Sequence, residues 1–340
     1  MLDDLIAALA RPEAYPHPVD AVTVHQTHIS AVFLAGPFAY KVKKPVEMGF
    51  LDFRTLDRRR HFCAEEVRLN RRLAPSVYLG VAPVTRTGDR IVMDGTGDVI
   101  EWAVMMRRLP EEASLLALLT SNAISAPQIE AVAQRLAAFH RGAARGEAIA
   151  AAGRFAVIAA NARENFAQAR PCVGLTVTAE RFAALERLTE DALARLRPLI
   201  ERRAAAGVPC ETHGDLRTDH VYLFPDAAPP DDVVIIDCIE FNERFRHADP
   251  VADLAFLVMD LTFHDRRDLA DALADAWFAA DDDVEGRPLL PFYAAYRAMV
   301  RGKVEGFALG ESEIPRAERF ADLHRARAHW QLAETYLAGR

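Results

Sequence analysis

The sequence predicts an α+β protein with a small, strand-rich N-terminal lobe and a large, mostly helical C-terminal lobe. Two observations predict this class. Residues 22–104 contain short apolar runs separated by turn residues, which is typical of strands. After residue 110, apolar residues recur at three- and four-residue steps, which is typical of amphipathic helices. The 340 residues, of which 51% are hydrophobic, allow two domains with buried cores.

The N-terminal lobe is expected to consist of strands and one important helix. Residues 31–42, AVFLAGPFAYKV, form two apolar runs around Gly-Pro, which predicts a hairpin. Residues 55–74 predict a basic helix that ends before Pro75. Three further strands are expected, at Tyr78–Thr85, Arg90–Met93 and residues 99–106, VIEWAVMM.

The C-terminal lobe is expected to be helical apart from one hairpin. Ser125 and Gln128 have the spacing of a capping box at the start of a helix. Further helices are predicted at 178–206, 250–263, 266–280, 289–308 and 315–338. Two short strands, Val221–Phe224 and Val233–Ile236, are the only strand-like interruption expected in this half. We therefore expect an N-terminal lobe at 1–106, a hinge at 107–112 and a helical lobe at 113–340.

Composition predicts a cytoplasmic protein with no membrane span. No run of eighteen apolar residues occurs, and the N-terminus lacks the pattern of a secretory signal. The cysteines are scattered without a CxxC pair, which favours reduced thiols and argues against a zinc site. They are Cys63, Cys172, Cys210 and Cys238.

The net charge of −8 is distributed unevenly along the chain. Residues 1–110 hold 15 basic and 13 acidic residues, whereas the remainder holds 26 basic and 36 acidic residues. The acidic balance of the second part argues against nucleic acid as the main partner and would tolerate a cationic small molecule. Solubility alone is the simpler explanation of the charge.

Two carboxylates close in sequence indicate phosphoryl transfer. Asp215 lies in a loop ahead of one predicted strand, where it could position a hydroxyl group. Asp237 follows the apolar run of the next strand, and its oxygens suit Mg²⁺.

A lysine of the small lobe could reach the phosphates. Lys41 and Lys43 lie two residues apart on one predicted strand and therefore share a face. Glu66 lies on the apolar stripe of the predicted helix, where a buried acid needs a cation. It is the expected partner of the lysine, with Glu65 as the alternative if the helix phase is different. An isolated KVKK run would instead be typical of a solvated edge strand.

Together these motifs resemble the aminoglycoside phosphotransferase family, which has the bilobal protein-kinase-like fold. FAYK (38–41) resembles the strand with the kinase lysine, and HGDL (213–216) resembles the catalytic loop. IID (235–237) is similar to the metal-binding segment, and DPVADLA (249–255) to the segment that follows it. Each motif alone is weak, but their order over residues 22–330 is specific.

Several stretches, among them QTHIS, KVKKPV and HGDLRTDH, resemble a bacterial subgroup of this family. Many members of that subgroup carry a second, P-loop ATPase domain. The P-loop motif G-x-x-x-x-G-K-[ST] does not occur in this sequence.

The resemblance implies a role for each matched residue. Lys41 is favoured over Lys43 as the kinase lysine, and Glu66 is its helix partner. Asp215 takes the place of the catalytic aspartate, and Asp237 that of the metal-binding aspartate. Asp253 is implied to brace the catalytic loop, and His213 to support it by hydrogen bonding. The segment implied to face the adenine of the nucleotide contains Met106 at the gatekeeper position, followed by Arg107, Arg108 and Leu109.

Three departures from the family pattern concern the site. His220 stands where the family has Asn as second metal ligand, although Mg²⁺ prefers oxygen. No glycine-rich loop precedes the first hairpin, so Ser30 and its neighbours in HQTHIS (25–30) are expected to contact phosphate instead. Arg217 could bind phosphate or a substrate anion, or pair with Asp219.

The implied activity is an ATP-dependent, or other NTP-dependent, phosphotransferase that uses Mg²⁺ and a small hydroxyl-bearing acceptor. The acidic balance allows a cationic metabolite or an aminoglycoside-like acceptor. The first alternative is a nucleotide-binding pseudokinase or regulatory module, which His220 and the missing glycine-rich loop favour. The second is a kinase that acts on a macromolecule. The sequence carries no motif that identifies the acceptor.

Overall fold

The structure is a computed structural model that describes residues 2–309 and 316–339. The described chain forms two compact units. The first contains the residues up to Leu118 together with Asp219–Glu243, and the second contains Leu119–Thr218 and the residues from Arg244 onward. The segment expected to be the hinge, 107–112, lies within the first unit.

The helices and strands of the described residues are as follows. The helices are α1 (Leu2–Leu9), α2 (Leu56–Asn70), α3 (Leu115–Thr120), α4 (Ala126–Gly142), α5 (Glu147–Ala152), α6 (Phe155–Ala169), α7 (Ala179–Ala205), α8 (Pro250–Phe263), α9 (Arg267–Asp281), α10 (Leu290–Ala308) and α11 (Arg316–Leu337). The strands are β1 (Val22–Gln26), β2 (Ser30–Ala35), β3 (Phe38–Lys43), β4 (Tyr78–Thr87), β5 (Arg90–Met93), β6 (Asp98–Arg107), β7 (Cys210–Glu211), β8 (Val221–Leu223), β9 (Val233–Ile235) and β10 (His247–Ala248).

A six-stranded antiparallel sheet forms the centre of the first unit, with the order β1-β2-β3-β6-β4-β5. The predicted hairpin is confirmed, since β2 pairs with β3 up to the Ala35–Phe38 pair. Gly36, at its turn, has a φ of +56°, which glycine adopts without steric cost. The strand β3 lies between β2 and β6, so the lysines of KVKK are not on an edge strand.

Two apolar clusters cover the sheet of the first unit. One includes Leu5 and Leu9 of α1, packed with sheet residues such as Phe33. The other includes Val67 of α2, packed with sheet residues such as Val104. The predicted helix before Pro75 is therefore confirmed as α2, which buries one face. The sequence analysis did not predict α1.

The short hairpin β8–β9 belongs to the first unit, whereas the sequence analysis placed it in the helical lobe. Its residues explain the difference. Val221, Val233, Val234 and Ile235 are all buried, so the hairpin must be covered by apolar side chains on more than one side. Val234 packs into the cluster that contains α2, and the Ile235 N–H donates to the carbonyl of Leu73.

The second unit is mainly helical, as predicted. The helix expected at 178–206 is α7, and the helix expected at 250–263 is α8. The later helices α9 and α10 begin and end within one residue of prediction, whereas the predicted start of the last one, residue 315, lies outside the described residues. The capping-box Gln128 accepts the Ser125 N–H at 2.9 Å.

One prediction about the second half of the chain was wrong. The hairpin β8–β9 is not the only strand pair after residue 110, because β7 and β10 also pair antiparallel. Each has only two residues, which is too short for an alternating pattern to reveal.

Two further observations concern composition. No helix in the described ranges is long and apolar enough to cross a membrane. All four cysteines are buried, and the structure contains no disulfide between them.

Candidate active site

A cluster of two lysines and two glutamates lies in the first unit. Glu66 bridges the lysines, with Oε1 2.9 Å from the Lys41 Nζ and Oε2 2.6 Å from the Lys43 Nζ. Lys43 also donates to Glu240. Both Lys41 and Lys43 therefore pair with Glu66, whereas the sequence analysis treated them as alternatives.

The positions of these side chains follow from the local structure. Residues 41 and 43 of β3 share a face, as the period of two requires. Glu66 points from the buried face of α2, together with Cys63 and Val67. Glu65, the alternative partner, pairs instead with Arg68 at the surface.

Burial and charge act against each other in this cluster. Glu66 and Lys43 have almost no exposed surface. Burial alone would raise the pKa of Glu66, but Lys41 and Lys43 hold it below its usual value. Burial alone would lower the pKa of both lysines, but Asp237 and then Glu66 raise that of Lys41, and Glu240 and then Glu66 raise that of Lys43. The lysines therefore stay charged.

The pKa of Glu240 is shifted in the opposite direction to that of Glu66. Burial raises the pKa of Glu240 above its usual value, although the charge of Lys43 opposes this. Glu240 lies three residues after Asp237 in an irregular segment, and no periodic pattern pointed to it. The sequence analysis missed it for that reason.

Lys41 connects the cluster to Asp237. Its Nζ lies 2.7 Å from Oδ1 of Asp237. Lys41 keeps 15% of its side chain exposed and Asp237 keeps 42%, whereas Lys43 keeps 1%. Of the two lysines, Lys41 is thus the one that reaches a partly exposed carboxylate.

Asp237 has an unusual backbone conformation. Its φ is +64°, in the left-handed region that side chains other than Gly, Asn and Asp rarely adopt. The turn is held by buried side chains, because the Asp237 N–H donates to the Tyr78 hydroxyl at 3.1 Å and the Cys238 N–H donates to Asn70 Oδ1 at 2.9 Å. The sequence analysis found neither Tyr78 nor Asn70. A non-glycine residue in this conformation costs about 1–3 kcal/mol, and such residues cluster at functional sites.

His220 lies next to Asp237. Its Nε2 is 3.6 Å from Oδ2 of Asp237 and 3.9 Å from Oδ1 of Asp219. The Ile236 N–H donates to the carbonyl of His220 at 3.0 Å, which fixes the two segments against each other.

Asp237 could contribute one ligand to a magnesium ion. Its carboxylate is a hard oxygen ligand and already faces a cation, the ammonium of Lys41. No group of three His, Cys, Asp or Glu side chains in the described ranges could hold a metal alone. Mg²⁺ is commonly bound by one or two carboxylates, waters and substrate phosphates, so one exposed carboxylate is compatible with it.

The loop that contains Asp215 lies in the second unit and is held through its backbone. Asp253 on α8 accepts the N–H groups of His213 and Gly214, each at 2.9 Å. Asp260, two turns further along α8, accepts both the N–H and the hydroxyl of Thr218. Gly214 has a φ of +90°, which requires glycine.

Asp253 is itself held from the other side. Trp277 Nε1 donates to His140 Nδ1 at 3.1 Å, and His140 Nε2 lies 3.1 Å from Asp253 Oδ2. Since an indole N–H can only donate, Nδ1 must accept and Nε2 carries the proton towards Asp253. Burial would raise the pKa of Asp253, but the hydrogen bonds from His140 and from the backbone N–H of His213 hold it well below its usual value.

The side chains of the loop also contact one another. Arg217 Nε lies 3.3 Å from Asp215 Oδ2, and the Asp215 N–H donates to His213 Nδ1 at 3.3 Å. The sequence analysis considered phosphate or Asp219 as the partner of Arg217, but not Asp215.

The remaining predicted residues lie around β2 and β6. Ser30 is buried, and its N–H donates to the Thr27 hydroxyl at 3.1 Å. Met106 is buried in β6 between Ala39 and Tyr78. At the end of the strand, Arg107 Nε donates to the Ser76 carbonyl and the Arg108 N–H donates to the Pro37 carbonyl. Leu109 packs against the cluster that contains α2.

Residues 51–290 match the model of a phosphotransferase enzyme family. This is more than half of the chain. The chain belongs to this family. Uncharacterized proteins of Mycobacterium bovis and of two strains of Mycobacterium tuberculosis are 34% identical over 327 residues, which is 95% of this chain. The chain spans only 63% of the length of these relatives.

Solved structures of low sequence identity share the fold of this family member. A microcompartment-associated aminopropanol kinase is 15% identical with a TM-score of 0.52 and 98% of each chain covered. Amicoumacin kinase, solved with AMP-PNP and Ca²⁺, is 12% identical with a TM-score of 0.53, covering 96% of this chain and 91% of the other. A choline/ethanolamine kinase family protein of Mesorhizobium loti is 12% identical with a TM-score of 0.50 and complete coverage. The predicted protein-kinase-like α+β fold is confirmed.

One residue of this phosphotransferase family member could have been found from the sequence. Asp260 lies seven residues after Asp253, so both fall on one face of an otherwise apolar helix. A second acid at that spacing in a buried helix signals a second buried acceptor.

Proposed function

We propose that the chain is an ATP-dependent phosphotransferase that transfers the γ-phosphate to an alcohol hydroxyl of a small molecule. The observation that supports this most strongly is Lys41, whose Nζ contacts both Glu66 and Asp237. Phosphoryl transfer needs a cation at the phosphates, held by an acid, and a carboxylate for the metal. Family membership and similarity to structures named as small-molecule kinases support the same activity.

In this proposal the residues of the first unit bind the nucleotide. Lys41, oriented by Glu66, contacts the phosphates, and the segment from Met106 to Leu109 faces the adenine. Asp237 holds Mg²⁺, with His220 beside it. The metal would neutralise the charge of the phosphates. The amicoumacin kinase structure, which contains a nucleotide analogue and a divalent ion, supports this pair of cofactors.

The loop of the second unit acts on the acceptor. Asp215 orients the acceptor hydroxyl and accepts its proton, and Arg217 keeps the carboxylate of Asp215 in place. His213 and Asp253 fix the backbone of the loop, so that Asp215 needs little reorganisation during the reaction.

The proposal is tested by transfer of radiolabelled γ-phosphate from ATP to a library of hydroxyl-bearing metabolites. We expect Mg²⁺-dependent transfer to at least one acceptor, and a loss of about a thousandfold for Asp215→Ala. The matched control is Asp226→Ala, which removes an exposed aspartate from the β8–β9 turn. Transfer that persists in Asp237→Ala would contradict the metal assignment.

A second candidate is a nucleotide-binding module without transferase activity. His220 favours it, because an imidazole beside Asp237 is a poor Mg²⁺ ligand compared with an amide oxygen. Tight ATP binding by calorimetry, together with no transfer across the library, would support this candidate.

A further inference from the structure

A cavity of about 80 Å³ lies within the second unit. Its wall is formed by one face of α10, by the segment 244–249 and by the first turn of α8. A water needs roughly 10–15 Å³ of such space, so the cavity accommodates several waters or the charged end of a small molecule. It is rich in aromatic and cationic side chains. Those relevant to recognition are Phe292, Tyr293, Tyr296, Arg297 and Arg244.

Two charged residues of the wall already have ion-pair partners. Arg244 pairs with Glu164 on α6. Asp249 accepts two hydrogen bonds from Arg203, at 2.6 and 3.0 Å. Each of these residues therefore already has an ion-pair partner, although Arg203 is shared between Asp249 and Asp283.

Arg297 differs from Arg244 in its contacts. Its guanidinium lies 4.8 Å above the Phe256 ring, and its Nε donates to the Ala252 carbonyl at 3.4 Å. In the described part of the chain, no carboxylate lies within ion-pair distance of it. The guanidinium of Arg297 is thus the cation of the wall that has no carboxylate partner among the described residues, and a half-buried cation of this kind favours an anion.

Two tyrosine hydroxyls accompany this charge. Neither Tyr293 nor Tyr296 has a hydrogen-bond partner for its hydroxyl within residues 2–309 and 319–339. Burial raises the pKa of both, and the charge of Arg297 only partly offsets this, so both hydroxyls remain donors at neutral pH. A guanidinium and two phenolic O–H groups form a donor set for a carboxylate or phosphate.

The cavity is connected to the loop that carries Asp215. His247 and Ala248 pair with Glu211 and Cys210, directly before that loop. Asp215 is the fourth residue after Glu211, which is at most about 14 Å of chain. In α8, Ala252 lines the cavity and the next residue, Asp253, holds the loop. Strand β10 and helix α8 therefore contribute to the cavity wall and also help to position the loop.

We propose that this cavity binds the anionic group, a carboxylate or a phosphate, of a hydroxyl-bearing acceptor, with Arg297 as charge partner and Tyr293 and Tyr296 as donors. This inference rests on the proposed phosphotransferase function and names its substrate class. It differs from the cationic acceptor that the acidic net charge allowed, because Arg297 faces the cavity without a carboxylate partner in the described ranges. An uncompensated guanidinium beside the ligand would repel an ammonium group.

The test is calorimetric binding without nucleotide, using four small hydroxyl compounds. D-Glycerate and glycerol 3-phosphate carry the anion, glycerol is neutral and ethanolamine is cationic. We expect at least one anionic compound to bind roughly tenfold or more tightly than glycerol and ethanolamine. Comparison of the two anions distinguishes a carboxylate site from a phosphate site.

Substitutions then assign the binding to the cavity. Arg297→Gln should weaken anion binding roughly tenfold or more, and Arg297→Lys should retain part of it. Tyr296→Phe removes one donor with little change of volume and should weaken binding severalfold. Arg202→Gln, which alters an exposed arginine paired with Glu285, is the control and should have no effect.

Three results would overturn the inference. They are tighter binding of ethanolamine than of both anions, no binding of either anion at millimolar concentration, and anion binding that is unchanged in both Arg297→Gln and Tyr296→Phe. Failure of the proposed function is a separate result. Arg297-dependent anion binding without any phosphoryl transfer would reject the transferase, whereas normal transfer to ethanolamine in Arg297→Gln would reject only the cavity assignment.

Discussion

The candidate residues of the first unit and those of the second unit are stabilised in opposite ways. In the first unit, the side chains Lys41, Lys43, Glu66 and Glu240 neutralise one another in a buried cluster. In the second unit, the carboxylates of Asp253 and Asp260 accept hydrogen bonds from backbone N–H groups of the loop. The cluster in the first unit therefore depends on the balance of charges. The stability of the loop in the second unit depends instead on the number of hydrogen-bond acceptors. Substitutions that remove a charge or an acceptor can test this difference.

The largest effect is expected where the charge balance is broken. Lys43→Met leaves Glu240 buried without its lysine and should lower the free energy of unfolding by about 3–5 kcal/mol. The double variant Lys43→Met/Glu240→Gln removes both charges and should recover more than half of this loss. Urea denaturation measures both.

Lys44→Met is the control for that pair, because Lys44 is partly exposed and should change stability by no more than about 0.5 kcal/mol. If the double variant is less stable than the single one, charge balance is not what holds the cluster.

A somewhat smaller effect is expected where an acceptor is lost. Asp253→Asn keeps the shape of the side chain, but its amide N–H₂ faces at least one of the N–H groups of His213 and Gly214. An unsatisfied buried donor costs about 1–3 kcal/mol, and the free energy of unfolding should fall by that amount. Asp275→Asn on the exposed side of α9 should cause almost no change. Equal stability of the two variants would contradict the bracing role.

The contribution of Asp253 to the free energy of unfolding should decrease at acidic pH. Its folded-state pKa is held well below the usual value, so its contribution is complete at pH above about 4 and is lost as the pH falls further. The stability difference between the wild type and Asp253→Asn should therefore be constant from neutral pH to about pH 5 and shrink below about pH 4. Urea denaturation of both proteins across this pH range measures the difference. If the difference increases as the pH falls, the predicted direction is wrong.

The smallest effect on stability is expected at His220. His220 is buried beside Asp237, and the smaller asparagine fills less of its space, so His220→Asn should lower the free energy of unfolding by about 0.5–1 kcal/mol. If the chain is a phosphotransferase, the amide oxygen should lower the Mg²⁺ concentration for half-maximal transfer by about tenfold. A magnesium titration of the initial rate measures this. Loss of transfer would mean that the imidazole itself is required.

The sequence predicted the residues whose positions follow from regular structure. Lys41 and Lys43 share a face because strands have a period of two, and Glu66 is buried because its helix phase places it with Val67. Asp253 was found by resemblance and lies on α8, one residue after a cavity-lining alanine. The fold was predictable because these patterns agree over long segments.

The sequence did not predict the residues that depend on irregular segments. Glu240 follows Asp237 in a segment without helix or strand, so only the folded backbone brings it to Lys43. The left-handed conformation of Asp237 and its contact with Tyr78 also depend on tertiary structure. The grouping of β8–β9 with the first unit has the same origin, since buried strands can pack against either of two cores.

The contact between Trp277 and His140 makes the loop of Asp215 optically observable. Trp277 is completely buried, and its indole N–H donates to His140. His140 in turn contacts Asp253, whose carboxylate accepts the N–H groups of the loop. Indole emission responds to changes in hydrogen bonding and in local polarity. With Trp102 and Trp330 replaced by Phe, the remaining fluorescence would report movements of the loop without any attached dye.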